Sequence, residues 1–421
     1  MTTNFGWDTI RLSNRNSSSL IRFCFGVAIL MVISSVAIAQ PAVPDTVKRI
    51  TIKSAVLGED RVVLIHTPVG YETNKDRYPV LYMTDGDGHM GHTSSTVEFL
   101  TRNGRISDLI VVGVTNTDRT RDLTPAKSAQ KNANGQLQFP TSGGADNFLK
   151  FFETELIPEI EKHYRVQPYR IFAGHSFGGL FAIHAMITKP GLFNSYISVS
   201  PALQWVDGEA LGRAEEFLKK QKEMNLTLYV SLGNEPGAIG ESFDNFKQVL
   251  SKTNIKGFEW QAERMDDEDH GSVVLRSHYF GLRKIFDGWL PVRDLQSGVL
   301  FDGLKSAEDH YKKLSDKFGY SIPVPENLIN QMGYQLLGQN KPEEAIAVFK
   351  ANIERYPMSA NPYDSLAEAY EQGGRLDLAE PLYEKARILG EKNNDPNTAL
   401  YKANYERVHA KLKESEGTRK N

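Results

Sequence analysis

The run from Arg170 through Ala173, Gly174, His175, Ser176, Phe177, Gly178 and Gly179 to His184 constrains this chain more than any other. A short apolar strand enters a Gly-x-Ser-x-Gly turn, and an alanine-rich helix leaves it. Such a turn lifts a serine hydroxyl out of the edge of a sheet and aims the next backbone amide at a reacting carbonyl. Small Gly178 and Gly179 stand where helix and strand must pack closely. A chain that folds around this turn is committed to a sheet with helices on its faces.

The neighbouring segments fit that commitment. Residues 48–67 alternate around Leu57-Gly58-Glu59-Asp60, which predicts an N-terminal antiparallel hairpin. Short β-branched or aromatic runs follow at Pro79–Met83, Leu109–Val114, Arg170–Ala173, Ser195–Val199 and Leu226–Leu232, and a last strand is expected near Gly257–Glu263. Continuous apolar runs of this length suit a parallel sheet buried on both faces. Helical spacing at Ala145–Tyr164, Leu180–Ile187 and Val273–Phe286 alternates with them. The fold class read from this pattern is α/β, a doubly wound α/β-hydrolase sheet over residues 40–292. Beyond about residue 300 the strands stop. An offset of 34 residues aligns Gly333 with Ala367, Leu336 with Tyr370, Ala345 with Ala379 and Phe349 with Tyr383, so residues 293–421 read as a small all-α, tetratricopeptide-like domain. Two such units are too few for a free array, and the segment is expected to lean on the sheet domain, to bind a protein partner or to self-associate.

The N-terminus reads differently. Arg11, Arg15 and Arg22 precede an apolar run, Phe23–Ile33, and small residues ending at Ala37-Ile38-Ala39. This predicts a signal peptide over residues 1–39, cleaved after Ala39, and a periplasmic or secreted mature protein without stable membrane insertion. The chain's single cysteine, Cys24, lies inside that segment, leaving no disulfide and no thiol nucleophile beyond it. A formal net charge of −3 gives no reason to expect nucleic acid as a partner.

A serine hydroxyl needs a base, and the base an orienting carboxylate, in the chain order serine, acid, histidine. His270, in a loop between the last strand and last helix, stands where the base belongs; His278, His310 and His409 fall in helical segments. Glu235 emerges after the strand ending at Leu232 and is the nominated acid, with Glu241, Asp244 or no acid at all as alternatives. Asp269 adjoins His270 too closely to reach its ring. The oxyanion donors are the amides of Phe177 and Asp87, the latter in the glycine-rich loop after Met83. His89, Arg121 and Trp205 are candidate substrate contacts. A rival reading gives Asp85, Asp87, His89 and His92 to Zn²⁺ or Mn²⁺. Their spacing does not share a helical face and no further cluster completes a shell, so no metal and no cofactor are assigned.

As a set, Tyr78–Asp87, Arg121–Pro125, Gly174–Gly179, Ser198–Trp205 and Asp269–Gly271 resemble the Putative esterase family over about residues 45–290. Within it the likeness is to the periplasmic siderophore-esterase branch and to S-formylglutathione hydrolase. The resemblance implies a serine esterase with Ser176 as nucleophile, His270 as base and a small-molecule ester as substrate. Acyl transfer by the same site, or a repeat-based scaffold with a residual hydrolase domain, are the alternatives. The appended helices depart from the family's studied siderophore enzymes and leave the ester itself open.

Overall fold

A computed structural model of the chain describes residues 47–290, 301 and 303–419. Thr46–Asn421 forms one compact unit. The expected signal segment and the expected domain boundary at 292/293 both lie outside the described residues.

Alternation builds the hairpin β1 (Val47–Ser54) and β2 (Glu59–His66), closed by Gly58 at φ 69°. The remaining strands are β3 (Tyr78–Met83), β4 (Ile110–Val114), β5 (Val166–His175), β6 (Ser195–Val199), β7 (Glu223–Leu232) and β8 (Lys256–Arg264). They form one sheet in the order β1-β2-β4-β3-β5-β6-β7-β8, with β2 antiparallel to both neighbours and β3 to β8 parallel throughout. Every residue of β3, β4 and β6 is buried, because helices cover both faces.

Strand pleating sorts those side chains into two cores. Val80, Tyr82, Val112, Phe172 and Tyr196 face one layer, made by α2 (Arg119–Leu123), α3 (Ala145–Phe151), a π-helical turn at Phe152–Leu156, α4 (Ile157–His163), α5 (Phe177–Thr188), α6 (Trp205–Lys220) and α7 (Ala238–Ser251). Leu81, Met83, Val111, Ile171 and Ile197 face the other, against α1 (Gly86–Arg102) and α8 (Val273–Ile285). The single expected helix at Ala145–Tyr164 is therefore interrupted by one wide turn. Arg61 of β2 is buried and neutralised by Asp122 of α2, with its guanidinium over the Phe148 ring.

The C-terminal segment is all helical: α9 (Gly303–Phe318), α10 (Glu326–Gly338), α11 (Pro342–Arg355), α12 (Asn361–Gln372), α13 (Leu376–Asn393) and α14 (Thr398–Arg419). Consecutive helices pack as neighbours. A methyl group on Gly333 would meet the Phe349 ring at 2.3 Å, so the small residue sets how closely α10 approaches α11. From α9, Leu314 and Phe318 join the second core of the sheet domain. Phe318 packs on Tyr169, Phe286 and Trp289 at ring distances of 4.9, 5.0 and 5.6 Å.

Candidate active site

Ser176 follows β5 directly and opens α5 with φ 61° and ψ −115°, a region sparsely populated by non-glycine residues. The surrounding glycines explain how the turn is tolerated. A Cβ on Gly174 would lie 2.1 Å from the carbonyl oxygen of Gly178, one on Gly178 2.3 Å from Thr84 Oγ1, and one on Gly179 2.7 Å from the Val199 carbonyl. Only hydrogen fits at these three positions. The Ser176 amide bonds the Val199 carbonyl at 2.9 Å, and Ala202 returns a bond to the Ser176 carbonyl at 3.2 Å.

His270 sits in the loop between β8 and α8. Its Nδ1 lies 2.5 Å from Glu235 Oε2, and its ring packs 4.6 Å from that of His175, the residue before Ser176. With Nδ1–H donating to Glu235, Nε2 is the nitrogen left basic. Glu235 is nearly buried and receives a second bond, from Ser200 Oγ to Oε1, at 2.6 Å. Burial would raise this carboxyl, but the bonds from His270 and Ser200 outweigh it and hold it below its ordinary value. Among the described residues no hydrogen bond joins Ser176 Oγ to His270. Such contacts are commonly long before substrate binds.

The alternatives to Glu235 are occupied elsewhere. Asp244 lies on α7 and pairs with Arg264 at 2.8 Å, while Asp269 accepts the amides of Gly271 and Ser272 and shapes its own loop. Glu241 is exposed in the first turn of α7.

The expected glycine-rich loop after Met83 is helix. Asp85, at φ 54°, precedes α1, which begins at Gly86. A Cβ on Gly86 would meet the backbone of Gly113 at 2.6 Å, so the helix can start this close to β4 only with glycine there. Asp87 and Phe177 thus both occupy first turns of helices, α1 and α5, where amides have no intrahelical acceptor. His89 and His92 are one turn apart on α1 with rings 5.1 Å apart, while Asp85 precedes the helix. The proposed metal set still fails to assemble, since Asp85 is committed to Arg119, through Nε at 2.6 Å, and to Asn116 at 2.7 Å. His89 instead joins a group of imidazoles, 5.5 Å from His175 and 6.2 Å from His278. Burial first, and neighbouring imidazoles second, push His175 down to about 4. His278, fully enclosed, is lowered for the same reasons, and burial also lowers His89.

Arg121 and Trp205, expected as substrate contacts, are both held by other groups of the protein. Arg121 binds Glu59 at 2.7 Å and Asp122 at 2.8 Å, fixing α2 to β2. Trp205 is buried, donates Nε1–H to the Ala126 carbonyl at 2.9 Å and packs on Phe139 and Phe177, each at 5.0 Å. It supports Phe177 from behind. Arg119, two residues before Arg121, is the arginine that reaches the turn: it binds Asp85 and the His175 carbonyl. Both arginines follow β4 within a few residues, and composition does not say which turns inward. Ser200 was visible only as part of a motif.

The family model for Putative esterase matches residues 54–271, over half of the chain and spanning β2 to His270. The chain belongs to the Putative esterase family. This esterase-family chain is 32% identical over 188 residues to ferri-bacillibactin esterase of Bacillus subtilis, covering 41% of this chain and 63% of that protein. It therefore spans less than two thirds of that relative's length. A siderophore enterobactin esterase of Emericella nidulans is 35% identical over 205 residues, covering 39% of this chain and 67% of the relative. Among solved structures, an IroE-like serine hydrolase from Shewanella oneidensis superposes with a TM-score of 0.63 at 27% identity. That likeness covers 74% of this chain and 99% of the other. Among the described residues no helix is long and apolar enough to cross a membrane.

Proposed function

We propose that the protein is an exported serine esterase that cleaves carboxylic esters of the siderophore type through an acyl-enzyme. Ser176 Oγ forms a bond to the ester carbonyl carbon while His270 Nε2 takes its proton. The electron pair of the C=O bond moves onto oxygen, where the amides of Phe177 and Asp87 receive it. Collapse breaks the ester C–O bond, and the departing alkoxide takes the proton from His270. Water then repeats the sequence, with His270 again as base, and releases the acid and the free serine. Glu235 holds the imidazole in the tautomer that leaves Nε2 basic and offsets the charge it gains.

The observation that carries this reading is the 2.5 Å pair between Glu235 and His270, beside a serine in a strained strand-to-helix turn. The names of the two relatives above support an ester of siderophore type. Export rests on the reading of residues 1–39 as a cleaved signal peptide, and the helical segment is assigned no part in the chemistry.

The test is product analysis by mass spectrometry on a panel of trilactone siderophores, acylated sugars and simple acyl esters, with and without an added alcohol. Siderophore lactones opened to linear acids by the wild type but not by Ser176→Ala are expected. Transfer of the acyl group to the alcohol in preference to water would replace esterase with acyltransferase. Turnover surviving in Ser176→Ala would remove the mechanism.

A further inference from the structure

Glu235 has two carboxylate oxygens, and each has one side-chain donor: Oε2 takes His270 Nδ1 and Oε1 takes Ser200 Oγ. We propose that Ser200 is a positioning residue of this site, whose hydroxyl fixes the Glu235 carboxylate so that Oε2 alone faces the base. The inference rests on the serine esterase reading and adds to it a residue that never meets substrate.

Three observations support the assignment. First, Ser200 is fully enclosed, so a hydroxyl there costs free energy unless it is bonded, and its bond at 2.6 Å is to an ionised group. Second, its backbone is unusual: φ is +41°, in the left-handed region, for a residue that is not glycine. A left-handed serine followed by Pro201 turns the chain sharply at the end of β6. Its amide is tied to the Ser231 carbonyl at 2.8 Å, which fixes the backbone from which the hydroxyl reaches Glu235. Third, this turn is the one that also holds the nucleophile. Val199, before Ser200, accepts the Ser176 amide, and Ala202, after it, donates to the Ser176 carbonyl. One short segment therefore sets the serine turn from its backbone and the acid from its side chain. Glu235 comes from a different loop, after β7, and besides Ser200 the side-chain donor to its carboxylate is the half-exposed ring it is meant to orient.

Removing the hydroxyl frees the carboxylate to rotate about its last side-chain bond, and the imidazole loses a fixed partner. The cost falls on the steps in which His270 carries a proton, hence on kcat, with little change in KM. It also requires Glu235 to be present, which separates positioning from general packing.

The experiment is a double-mutant cycle on hydrolysis of p-nitrophenyl acetate by the full chain, with Ser200→Ala and Ser200→Gly each made in the wild-type and Glu235→Gln backgrounds. Glycine tolerates φ +41° without strain, so it tests the loss of the hydroxyl even if alanine fails to fold. A threonine replacement is avoided because β-branching is poorly accepted there. Loss of one charge-assisted bond predicts a fall of about tenfold in kcat for either variant, with KM within about twofold. In the Glu235→Gln background the same substitutions should cost no more than about twofold, since the group they position is already gone. Unchanged kcat in both variants, or an equal loss in the two backgrounds, overturns the proposal. Labelling of Ser176 by a fluorophosphonate in the wild type is measured alongside. If labelling is present and the cycle is additive, only the role of Ser200 fails; if labelling is absent, the esterase reading falls and this inference with it.

Discussion

Arg119 binds Asp85 with both arms of its guanidinium, Nε to Oδ1 at 2.6 Å and a terminal nitrogen to Oδ2 at 3.1 Å. The same terminal nitrogen reaches the His175 carbonyl at 2.9 Å, one residue before Ser176. Asp85 precedes α1, whose first turn carries the Asp87 amide. One arginine thus ties the two helix starts that flank the serine. Its charge, although burial opposes it, keeps the Asp85 carboxyl below its ordinary value. Arg119→Ala leaves an enclosed carboxylate without its counter-charge, at a cost of about 3 kcal/mol. Thermal unfolding should show that loss together with weaker fluorophosphonate labelling. Arg119→Lys should not restore it, because an ammonium cannot reproduce the two-armed contact.

The buried imidazoles predict acid sensitivity. His175 is held down to about 4 from the ordinary 6.5, and its Nε2 is buried without a hydrogen-bond partner. A histidine whose folded pKa is depressed contributes stability that is fully present above 6.5 and is lost as pH falls through 4. By linkage the contribution of His175 amounts to about 3 kcal/mol over that window. Urea denaturation across pH 7 to 4 should show the decline, and His175→Gln should flatten it by a comparable amount.

The glycines of the serine turn make a steric prediction with a built-in rescue. A methyl group on Gly178 would stand 2.3 Å from the hydroxyl oxygen of Thr84, while the Thr84 Cβ lies 3.5 Å away. Gly178→Ala should destabilise by about 1–3 kcal/mol. Adding Thr84→Ala removes the colliding atom and should recover most of the loss in thermal unfolding. Gly174→Ala meets backbone instead, 2.1 Å away, and no side-chain change should rescue it.

Phe318 makes the helical segment part of the same body as the sheet. It is 2% exposed and packs on Tyr169, Phe286 and Trp289. Phe318→Ala should cost about 3–5 kcal/mol. Limited proteolysis should then separate the helical segment from a sheet domain that remains folded.

Much of this architecture was legible because its signals are local. Apolar runs such as Leu109–Val114 announce buried strands, alternation around Gly58 announces the hairpin, and Gly174–Gly179 announces the serine turn. Chain order among elements selected His270 and Glu235. What escaped depends on contacts between distant segments. Gly86 and Gly88 look like loop formers, yet the close approach of Gly86 to Gly113 makes the first of them the start of a helix. Arg119 and Arg121 are equivalent in composition, and only the placement of Asp85 and of Glu59 decides which turns inward. Ser200 meets Glu235 across 35 residues of chain, and nothing around Ser200 in the sequence points to it.

The account stands on Ser176 being the group that is acylated. Intact-mass and peptide mass spectrometry after treatment with a fluorophosphonate test this directly. One adduct, on the peptide containing Ser176 and absent from Ser176→Ala and much slowed in His270→Ala, is predicted. No adduct, or ester hydrolysis at the wild-type rate in Ser176→Ala, would contradict it.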